Sequence, residues 1–427
     1  MSHPSRLPAI LQAVMQGQPR ALADSHYPRW HHAPVTGLMN DPNGFIEFAG
    51  RYHLFYQWNP LACDHKFKCW GHWSSADLLH WQHEPIALMP DEEYDRNGCY
   101  SGSAVDSQGT LTLCYTGHVR DPKVWQHEGR WYMVLGAQDL QKRGKVLLFS
   151  SADLHEWTSQ GEIAGYGING LDDAGYMWEC PDLFALGDQH VLICCPQGVP
   201  REKERYLNTY PAVWMSGDFD YHRAAFEHGE LHELDAGFEF YAPQTMLTSD
   251  GRRLLVGWMG VPEGEEMLQP TLNNGWIHQM TCLRELEFID GQLYQRPLRE
   301  LSALRGEAHG WAGNSLPLAP MEIVLQTTGD DILSLDFDGA LILERDASGI
   351  RLARPSLASD EKHYRYWRGD VRSLHIFIDQ SSVEIFINGG EGVMSCRYFP
   401  ACSGQLMFSG ITPDAFCYWP LRTCMVE

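Results

Sequence analysis

Short β-patterned runs fill residues 30–297 and constrain the fold more than any other feature of the sequence. They are rich in β-branched and aromatic side chains, and Gly, Asp, Asn or Pro separates each run from the next. The clearest runs are residues 52–58, 111–115, 131–135, 145–149, 191–195 and 253–258. Helical spacing of three and four residues is almost absent between them. Strands this short and this frequent predict a sandwich, a barrel or a propeller.

A repeated segment favours the propeller. Residues 74–81 have the sequence SSADLLHW and residues 150–157 have the sequence SSADLHEW, and each follows a predicted strand. A unit that recurs at equivalent points of successive sheets is typical of propeller blades. We therefore expect a propeller over residues 26–297.

The remainder of the chain divides into three further parts. Residues 8–16 can form a short amphipathic helix within an N-terminal extension, residues 1–25. Residues 298–310 are expected to form a short helical linker. Beyond them, strands are predicted at residues 321–325, 332–337, 341–344, 374–378, 383–387 and 405–408. These strands and their Gly-containing turns predict a second all-β domain, a β-sandwich over residues 311–427.

Charge and cysteine usage limit the classes of partner and site. The net charge of −23 argues against nucleic acid and against an anionic membrane surface. The twelve cysteines show no zinc-finger spacing with each other or with His, so we expect no metal. The N-terminal residues lack the long apolar run typical of a signal peptide, and no stretch approaches the about 18 apolar residues of a membrane helix, so we expect neither. We expect a cytoplasmic protein with free thiols and leave its oligomeric state open.

Three acidic residues stand in turn-like segments at strand ends. Asp41 lies between Asn40 and Pro42, Asp121 precedes a proline, and Glu179 lies in the segment WECPD. Taken alone, an acid in such a turn is usually a local backbone cap. Glycoside cleavage, however, commonly needs two carboxyl groups, one that attacks or activates water and one that protonates the leaving oxygen. The three acids can meet if the strands that carry them converge on one axis.

Several motifs, taken together, resemble the β-fructofuranosidase (invertase) family of glycoside hydrolases. They are LMNDPNGF, FYQWNP, CWGHWSSADLLHW, YSGSAV, RDPKVW, WECPDLF, FYAPQTM and, near the C-terminus, IFIDQSSVEIFINGGEGVMSCRYFP. The match is strongest to bacterial members that act on sucrose 6-phosphate. The resemblance implies a five-bladed β-propeller followed by a β-sandwich, a retaining double displacement on a fructosyl unit, a sugar substrate and no cofactor.

The resemblance also implies roles for individual residues. Asp41 is the expected nucleophile, Glu179 the acid/base, which a raised pKa would suit, and Asp121 the transition-state stabiliser, with Arg120 beside it. The residues expected to line the sugar pocket or support its turn are Leu38, Met39, Asn40, Gln57, Tyr100, Ser101, Tyr241 and Trp258. Cys180 either tunes Glu179 as a weak donor or is a small buried apolar residue.

Two departures from the family pattern carry further expectations. His65, Lys66 and Lys68 stand in a loop where many relatives have Trp-Gly, and this loop either attracts the 6-phosphate of the substrate or is a solvated basic loop. The second departure is at residues 114–122, where CYTGHV runs directly into RDP. We expect a shortened second blade with an unpaired edge, exposed apolar surface and reduced stability.

Hydrolysis of the fructosyl–glucose bond of sucrose 6-phosphate is the leading functional hypothesis. Within the same class, an invertase acting on plain sucrose, a fructan hydrolase and a transferase remain open. From another class, the shortened blade leaves a low-activity or non-catalytic carbohydrate-binding protein as an alternative.

Overall fold

A computed structural model describes residues 7–117, 120–260, 265–311, 313–327, 332–401, 403–411 and 416–424. The one α-helix in these ranges, α1 (Leu7–Leu22), is longer than the predicted residues 8–16, and Pro19 lies inside it. Short 3₁₀ turns occupy residues 266–268, 270–274 and 299–304, the last within the predicted linker. Strands form nearly all other regular structure, which confirms the all-β prediction. No helix in the described part of the chain is long and apolar enough to cross a membrane.

Five antiparallel sheets follow α1. The first contains β1 (Gly37–Phe48), β2 (Arg51–Asn59), β3 (Cys69–Ser75) and β4 (Trp81–Leu88). The second contains, within the described residues, β5 (Tyr100–Ser107) and β6 (Thr110–Thr116) alone. The third contains β7 (Arg120–His127), β8 (Arg130–Gln138), β9 (Gly144–Ser151) and β10 (Thr158–Gly165). The fourth contains β11 (Met177–Leu186), β12 (Gln189–Gln197), β13 (Val213–Asp220), β14 (Ala225–His228) and β15 (His232–Glu233).

The fifth sheet contains β16 (Tyr241–Leu247) and β17 (Arg253–Trp258), followed after β18 (Trp276–Ile277) by β19 (Arg284–Ile289) and β20 (Gln292–Pro297). β18 leaves this sheet and pairs in parallel with β1. The first strands of the five sheets contact one another in the order β1, β5, β7, β11, β16 and back to β1. The ring of first strands is therefore closed, and β18 ties the end of this region to its beginning.

The repeated segment has the same local structure in both copies. In each, the second Ser hydroxyl donates to the Asp carboxylate, and the Trp indole donates to the carbonyl of the Leu that follows this Asp. Both leucines, Leu78 and Leu154, adopt positive φ, 64° and 69°. The segments join β3 to β4 and β9 to β10, equivalent places in the first and third sheets. The sequence repeat thus corresponds to a repeated outer hairpin.

The second sheet ends at β6, which pairs only with β5 among the described residues. Residues Leu111, Leu113 and Tyr115 of β6 are half-buried and pack against a small apolar cluster of Phe55, Trp70 and Cys99. The predicted apolar edge is therefore partly covered by the first sheet. The sequence junction at residues 114–122 includes His118 and Val119, which lie outside the described residues.

Eleven further strands form two sheets after residue 314. They are β21 (Ser315–Pro317), β22 (Met321–Gln326), β23 (Leu333–Phe337), β24 (Ile342–Asp346), β25 (Gly349–Pro355), β26 (Lys362–Arg368), β27 (Ser373–Ile378), β28 (Ser382–Ile387), β29 (Gly392–Arg397), β30 (Gln405–Ser409) and β31 (Phe416–Pro420). One sheet has the order β21-β30-β23-β24-β25-β26 and the other β29-β28-β27-β22-β31. Apolar side chains from both, such as Leu335, Leu343, Ile323 and Ile376, share one buried core, as a sandwich requires.

A buried ionic network joins the two β regions. Arg284 is fully buried, and its guanidinium lies 3.1 Å from Asp235 and 2.8 Å from Glu384 of β28. His31 lies between Asp379 and the same Glu384, at 2.8 and 2.9 Å. Separating these pairs would leave charges buried without compensation, which is costly. The contacts therefore hold the two regions in one relative position.

Candidate active site

The first strand of each of the five sheets between residues 37 and 297 carries a β-bulge, and Asp41, Ser101, Asp121 and Glu179 lie at these bulges. The pairing register shifts between Met39 and Pro42 in β1 and between Tyr100 and Gly102 in β5. It shifts in the same way in β7, β11 and β16, at residues 120–123, 179–182 and 241–244. A bulge turns side chains out of the regular alternation. Because the five strands form a closed ring, five bulges direct their residues toward one region.

The bulges in β7, β11 and β16 share an unusual backbone. Asp121, Cys180 and Ala242 adopt positive φ of 58°, 50° and 47°, and each precedes a proline. Left-handed backbone at residues other than glycine costs free energy and persists only where the surrounding structure imposes it. The X-Pro pairs visible in the sequence therefore mark three strained positions, and Asp121 is itself one of them.

Asp41 is held by three side-chain donors. Its Oδ1 accepts from Asn40 Nδ2 at 3.0 Å, and its Oδ2 accepts from Gln57 Nε2 at 3.4 Å and from the Ser101 hydroxyl. Asn40 also donates to Gln57 Oε1 at 2.7 Å, and Gln57 donates to Ser101. Asn40, Gln57 and Ser101 are buried, whereas Asp41 is half-buried. Both carboxylate oxygens are thus oriented by neutral groups from β1, β2 and β5.

Asp121 has a different environment. Its Oδ2 accepts from the backbone N–H of Cys180 at 3.0 Å and faces the Cys180 thiol at 3.6 Å. Its own N–H donates to Thr116 Oγ1 at 2.7 Å. Burial, followed by the charge of Asp41, raises the pKa of Asp121 to about 6. The coupling places Asp121 and Asp41 close enough to repel each other, and the Cys180 side chain faces Asp121 rather than Glu179.

Glu179 accepts hydrogen bonds at both carboxylate oxygens. Arg120 donates to Oε1, and the Tyr241 hydroxyl donates to Oε2 at 2.6 Å. The Arg120 side chain is about half exposed, whereas the Glu179 side chain is 13% exposed. Burial holds the pKa of Tyr241 well above its usual range, so the phenol remains a donor. Glu179 therefore lies at the border between the buried cluster and solvent, where a proton can be exchanged with a leaving group.

The basic loop divides into an exposed and a buried part. The Lys66 side chain is 88% exposed, with Nζ 3.2 Å from Asp64. Lys68 is 2% exposed, and its Nζ donates to Asn40 Oδ1 and contacts His65 Nδ1 at 3.0 Å. Burial lowers the pKa of Lys68 to about 8 although the nearby Asp41 and Glu266 carboxylates act to raise it. Lys68 is therefore part of the buried cluster rather than a solvated basic residue.

The other predicted residues have less direct contacts. Trp258 is buried and lies against Tyr241, and its indole N–H has no hydrogen-bond partner among the described residues. Leu38 and Met39 are fully buried beneath the β1 bulge. The Tyr100 hydroxyl donates to the Asn97 carbonyl at 2.9 Å, on the exposed side of β5.

Three contributors to the site have no clear sequence signal. Thr116 anchors the Asp121 backbone, and Glu266 accepts from both His65 and His278 at 2.8 and 2.6 Å. Glu266 and His278 stand far from the acidic motifs, so only the closed ring of strands reveals their proximity. Thr116 belongs to the YTG segment, whose one notable feature in the sequence is that it lies just before the RDP motif.

One group of the described residues has ligand atoms close enough to hold a metal. The ligand atoms of His65, Glu266 and His278 all lie within 4.8 Å of one another. Both imidazoles point Nε2 at the same carboxylate oxygen. Hydrogen bonding alone accounts for this arrangement, and the expectation of no metal stays a prediction.

Comparison with known proteins extends these observations. The family model described as "Glycosyl hydrolases family 32 N-terminal domain" matches residues 31–120 and, separately, residues 117–297. The model described as "Glycosyl hydrolases family 32 C terminal" matches residues 336–412. The two N-terminal matches meet at residues 117–120, between β6 and β7.

Curated relatives match over the whole chain. A sucrose-6-phosphate hydrolase of Salmonella typhimurium is 82% identical, and one of Klebsiella pneumoniae is 67% identical, with 100% of both chains covered in each case. One of Bacillus subtilis (strain 168) is 41% identical over 91% of this chain and 92% of the relative. Each of the first two alignments has 466 positions for a chain of 427 residues, so at least 39 positions (466 − 427) have no counterpart here.

Solved structures agree with the family assignment. A sucrose-6-phosphate hydrolase from Lactobacillus gasseri superimposes with a TM-score of 0.86 at 28% identity, covering 97% of each chain. A Bombyx mori GH32 beta-fructofuranosidase, a mutant of which was solved in complex with sucrose, gives a TM-score of 0.85 at 28% identity, covering 98% of this chain and 99% of that one. The resemblance seen in the sequence motifs is thus confirmed. With both family models matched and relatives alike over the full length, the chain belongs to glycosyl hydrolases family 32.

Proposed function

We propose that the protein is a retaining glycoside hydrolase that cleaves the fructosyl–glucose bond of sucrose 6-phosphate and releases glucose 6-phosphate and fructose. The observation that supports the proposal is the proximity of Asp41, Asp121 and Glu179, which come from three sheets. Burial and then the charge of Asp41 raise the pKa of Asp121, and Asp121 accepts from the backbone N–H of Cys180, the residue after Glu179. The substrate follows from the relatives, since the full-length matches at 82% and 67% identity are both named sucrose-6-phosphate hydrolase.

In the proposed first step, an oxygen of Asp41 attacks the anomeric carbon of the fructosyl unit as the bond to the glucosyl oxygen breaks. Glu179 gives its proton to that oxygen, so glucose 6-phosphate leaves as an alcohol and a fructosyl–enzyme ester forms. In the second step, Glu179 takes a proton from water, which attacks the same carbon and returns the Asp41 carboxylate. Asp121 accepts hydrogen bonds from fructosyl hydroxyls, and the donors on Asp41 orient it for attack.

The alternatives receive less support. A plain sucrose invertase or a fructan hydrolase would use the same three carboxylates, but neither matches the names of the full-length relatives. A non-catalytic carbohydrate-binding protein has no need for a carboxylate fixed by three donors beside a second one whose pKa is raised. Transfer of the fructosyl group to another sugar stays open, because any hydroxyl can replace water in the second step.

Recognition of the 6-phosphate is a further part of the proposal, and the loop of His65, Lys66 and Lys68 supports it. Lys66 is exposed and can reach an anion near the site, and the Lys68 ammonium adds positive potential from within the buried cluster. Lys66→Ala should raise KM for sucrose 6-phosphate and leave KM for sucrose unchanged. Lys203→Ala removes an exposed lysine outside the loop and serves as the control. Equal discrimination in both variants would refute the role of Lys66.

We also propose that the five sheets of residues 26–297 are the blades of a propeller, with β5 and β6 as a shortened second blade, and that residues 298–310 link them to the sandwich of residues 311–427. Support comes from the two-stranded sheet and from the break in the family match at residues 117–120. Inserting at this break the segment that the Salmonella typhimurium relative has and this chain lacks should raise Tm. An unchanged Tm would count against the shortened blade. A cytoplasmic location is proposed because the eleven described cysteines are free thiols.

The deciding experiment compares fructose release from sucrose 6-phosphate and from sucrose, with Asp41→Ala as the inactive control. We expect turnover of both sugars and a higher kcat/KM for the phosphorylated one. No release from either sugar by a folded protein would overturn the hydrolase proposal. A preference for plain sucrose would overturn the substrate but not the reaction.

A further inference from the structure

We infer that Lys68 is a positioning residue whose ammonium group sets the direction of the hydrogen bonds around the Asp41 carboxylate. The inference rests on the proposed role of Asp41 as the nucleophile. It assigns Lys68 a function in catalysis itself, separate from any contact with the substrate phosphate.

The first step concerns Asn40, which lies between Lys68 and Asp41. Lys68 is 2% exposed, and its Nζ approaches the Asn40 side-chain amide. An ammonium group has three N–H donors and no acceptor, so it can face only the amide oxygen. The amide nitrogen must then point the other way, and it does so, donating to Asp41 Oδ1 at 3.0 Å and to Gln57 Oε1 at 2.7 Å.

The same direction continues through the next two side chains. Gln57 accepts at Oε1, so its Nε2 is available to donate, to Ser101 Oγ and to Asp41 Oδ2. Ser101 accepts from Gln57 and therefore has its single proton free for Asp41 Oδ2. All three donors on the carboxylate are thus aligned by one charged group that touches only the first of them.

On its other side, Lys68 begins a second chain of hydrogen bonds, in which each donor also points away from Lys68. His65 Nδ1 faces Lys68 at 3.0 Å and must accept, which puts the ring proton on Nε2, 2.8 Å from Glu266 Oε1. Glu266 also accepts from His278 at 2.6 Å. Burial acts to raise the pKa of Glu266, but the hydrogen bonds from both imidazoles outweigh it and lower this pKa to about 2, so Glu266 remains an acceptor. Two chains therefore start at Lys68, and each ends on a carboxylate.

The consequence is a nucleophile with a defined orientation. Without the ammonium, the Asn40 amide can rotate and present its oxygen to the Asp41 carboxylate, which repels it. Misplacement of a reacting group by about 1 Å can cost about 100-fold in rate. If Lys68 only filled space, an apolar side chain of similar length could replace it without a loss of rate.

Chemical rescue tests this directly. Lys68→Ala should lower kcat for sucrose 6-phosphate by about 10- to 100-fold with a smaller change in KM. Propylammonium, which has the atoms removed by the substitution, should restore kcat several-fold, whereas tetramethylammonium, equally charged but without an N–H, should not. Lys68→Arg, a donor-only replacement, should retain more activity than Lys68→Met. Lys203→Ala, with the same charge removed at an exposed position, should have the parental kcat.

Equal rescue by the two cations, or parental kcat in Lys68→Ala, would overturn the inference. If the parent chain releases no fructose, the proposed function fails, and the hydrogen-bond direction is tested without turnover. Neutron diffraction should then show deuterium on Nε2 of His65, none on Nδ1, and the Asn40 amide nitrogen toward Asp41. Deuterium on Nδ1 would overturn the inference independently of activity.

Discussion

Asp41 and Asp121 occupy the same kind of position, a bulge in the first strand of a sheet, yet their carboxylates are held in opposite ways. Three side-chain donors surround Asp41, and the buried ammonium of Lys68 contacts one of them, Asn40. Asp121 receives one backbone N–H and a thiol, and burial together with the charge of Asp41 raises its pKa to about 6. The environment of each carboxylate, rather than its place in the sheet, therefore sets its properties. Asp41 is oriented as a nucleophile should be, whereas Asp121 has a pKa close to neutral pH.

The short second sheet connects these two carboxylates. Ser101 of β5 donates to Asp41, and Thr116 of β6 accepts from the backbone of Asp121 while donating to the Ser101 carbonyl at 2.9 Å. Two strands therefore suffice to link both sides of the site. This explains how the site geometry persists although β6 has no further strand beside it in the described part of the chain.

The largest difference between the two acids should appear when Asp41 is removed. Asp41→Ala should lower kcat by about 10⁴-fold or more, because no group remains to form the covalent bond. Added azide should restore turnover and give a fructosyl azide, since a small anion can occupy the vacated space. The same azide should not rescue Asp121→Ala. If azide rescued Asp121→Ala and not Asp41→Ala, the two roles would be exchanged.

Asp121→Asn should cause the next largest loss, about 10²- to 10³-fold in kcat, because a neutral amide no longer stabilises positive charge that develops on the fructosyl ring. In the parent, kcat/KM should fall as pH drops through about 6, where Asp121 of the free enzyme takes up a proton. That acid limb should be absent or shifted in Asp121→Asn. A variant with the parental limb would show that another group titrates there.

The same substitution should increase stability at neutral pH. The pKa of Asp121 rises from 3.8 to about 6 on folding, so the folded state binds the proton more tightly, and the free energy of unfolding falls as pH rises between these values. The cost persists above pH 6 and is on the order of 1–2 kcal/mol for a half-buried group. Asn also tolerates the positive φ at this position.

Asp121→Asn should therefore have a Tm higher than the parent by roughly 2 °C at pH 7, with the difference shrinking toward pH 4. Thermal unfolding at both pH values measures it. An equal difference at the two pH values would assign the gain to backbone conformation rather than to charge.

Sequence patterns predicted much of this molecule. The β-rich runs gave the all-β class, the SSADL repeat corresponded to a repeated hairpin, and the motifs identified the family. Asp41, Asp121 and Glu179 could be selected because acids one or two residues before a proline at strand ends are chemically conspicuous.

Other parts of the site could not be predicted, for physical reasons. Lys68 looked like a loop cation, because burial of a lysine depends on partners distant in sequence, here Asn40, 28 residues away, and the carboxylate of Glu266. One of the two interpretations of Cys180 has its thiol tune the adjacent Glu179, yet the positive φ at Cys180 turns its N–H and thiol toward Asp121. Contacts set by strand twist and bulges are not visible in residue spacing.

The smallest expected effect tests the link between the two acids. Thr116→Val keeps the side-chain shape but removes the hydroxyl that accepts the Asp121 N–H at 2.7 Å. An unsatisfied donor costs about 1 kcal/mol or more, and the strained backbone of Asp121 loses its anchor. We expect kcat to fall by about 3- to 10-fold, and the acid limb assigned to Asp121 to shift. Thr112→Val, on the same strand, removes a hydroxyl whose one hydrogen bond to a described residue is to the Thr110 carbonyl at 3.4 Å, so it should alter neither kcat nor the acid limb. Equal effects in the two variants would mean that β6 supports the site through its bulk stability. An effect confined to Thr116→Val would show that a single hydroxyl of the short sheet keeps Asp121 distinct from Asp41.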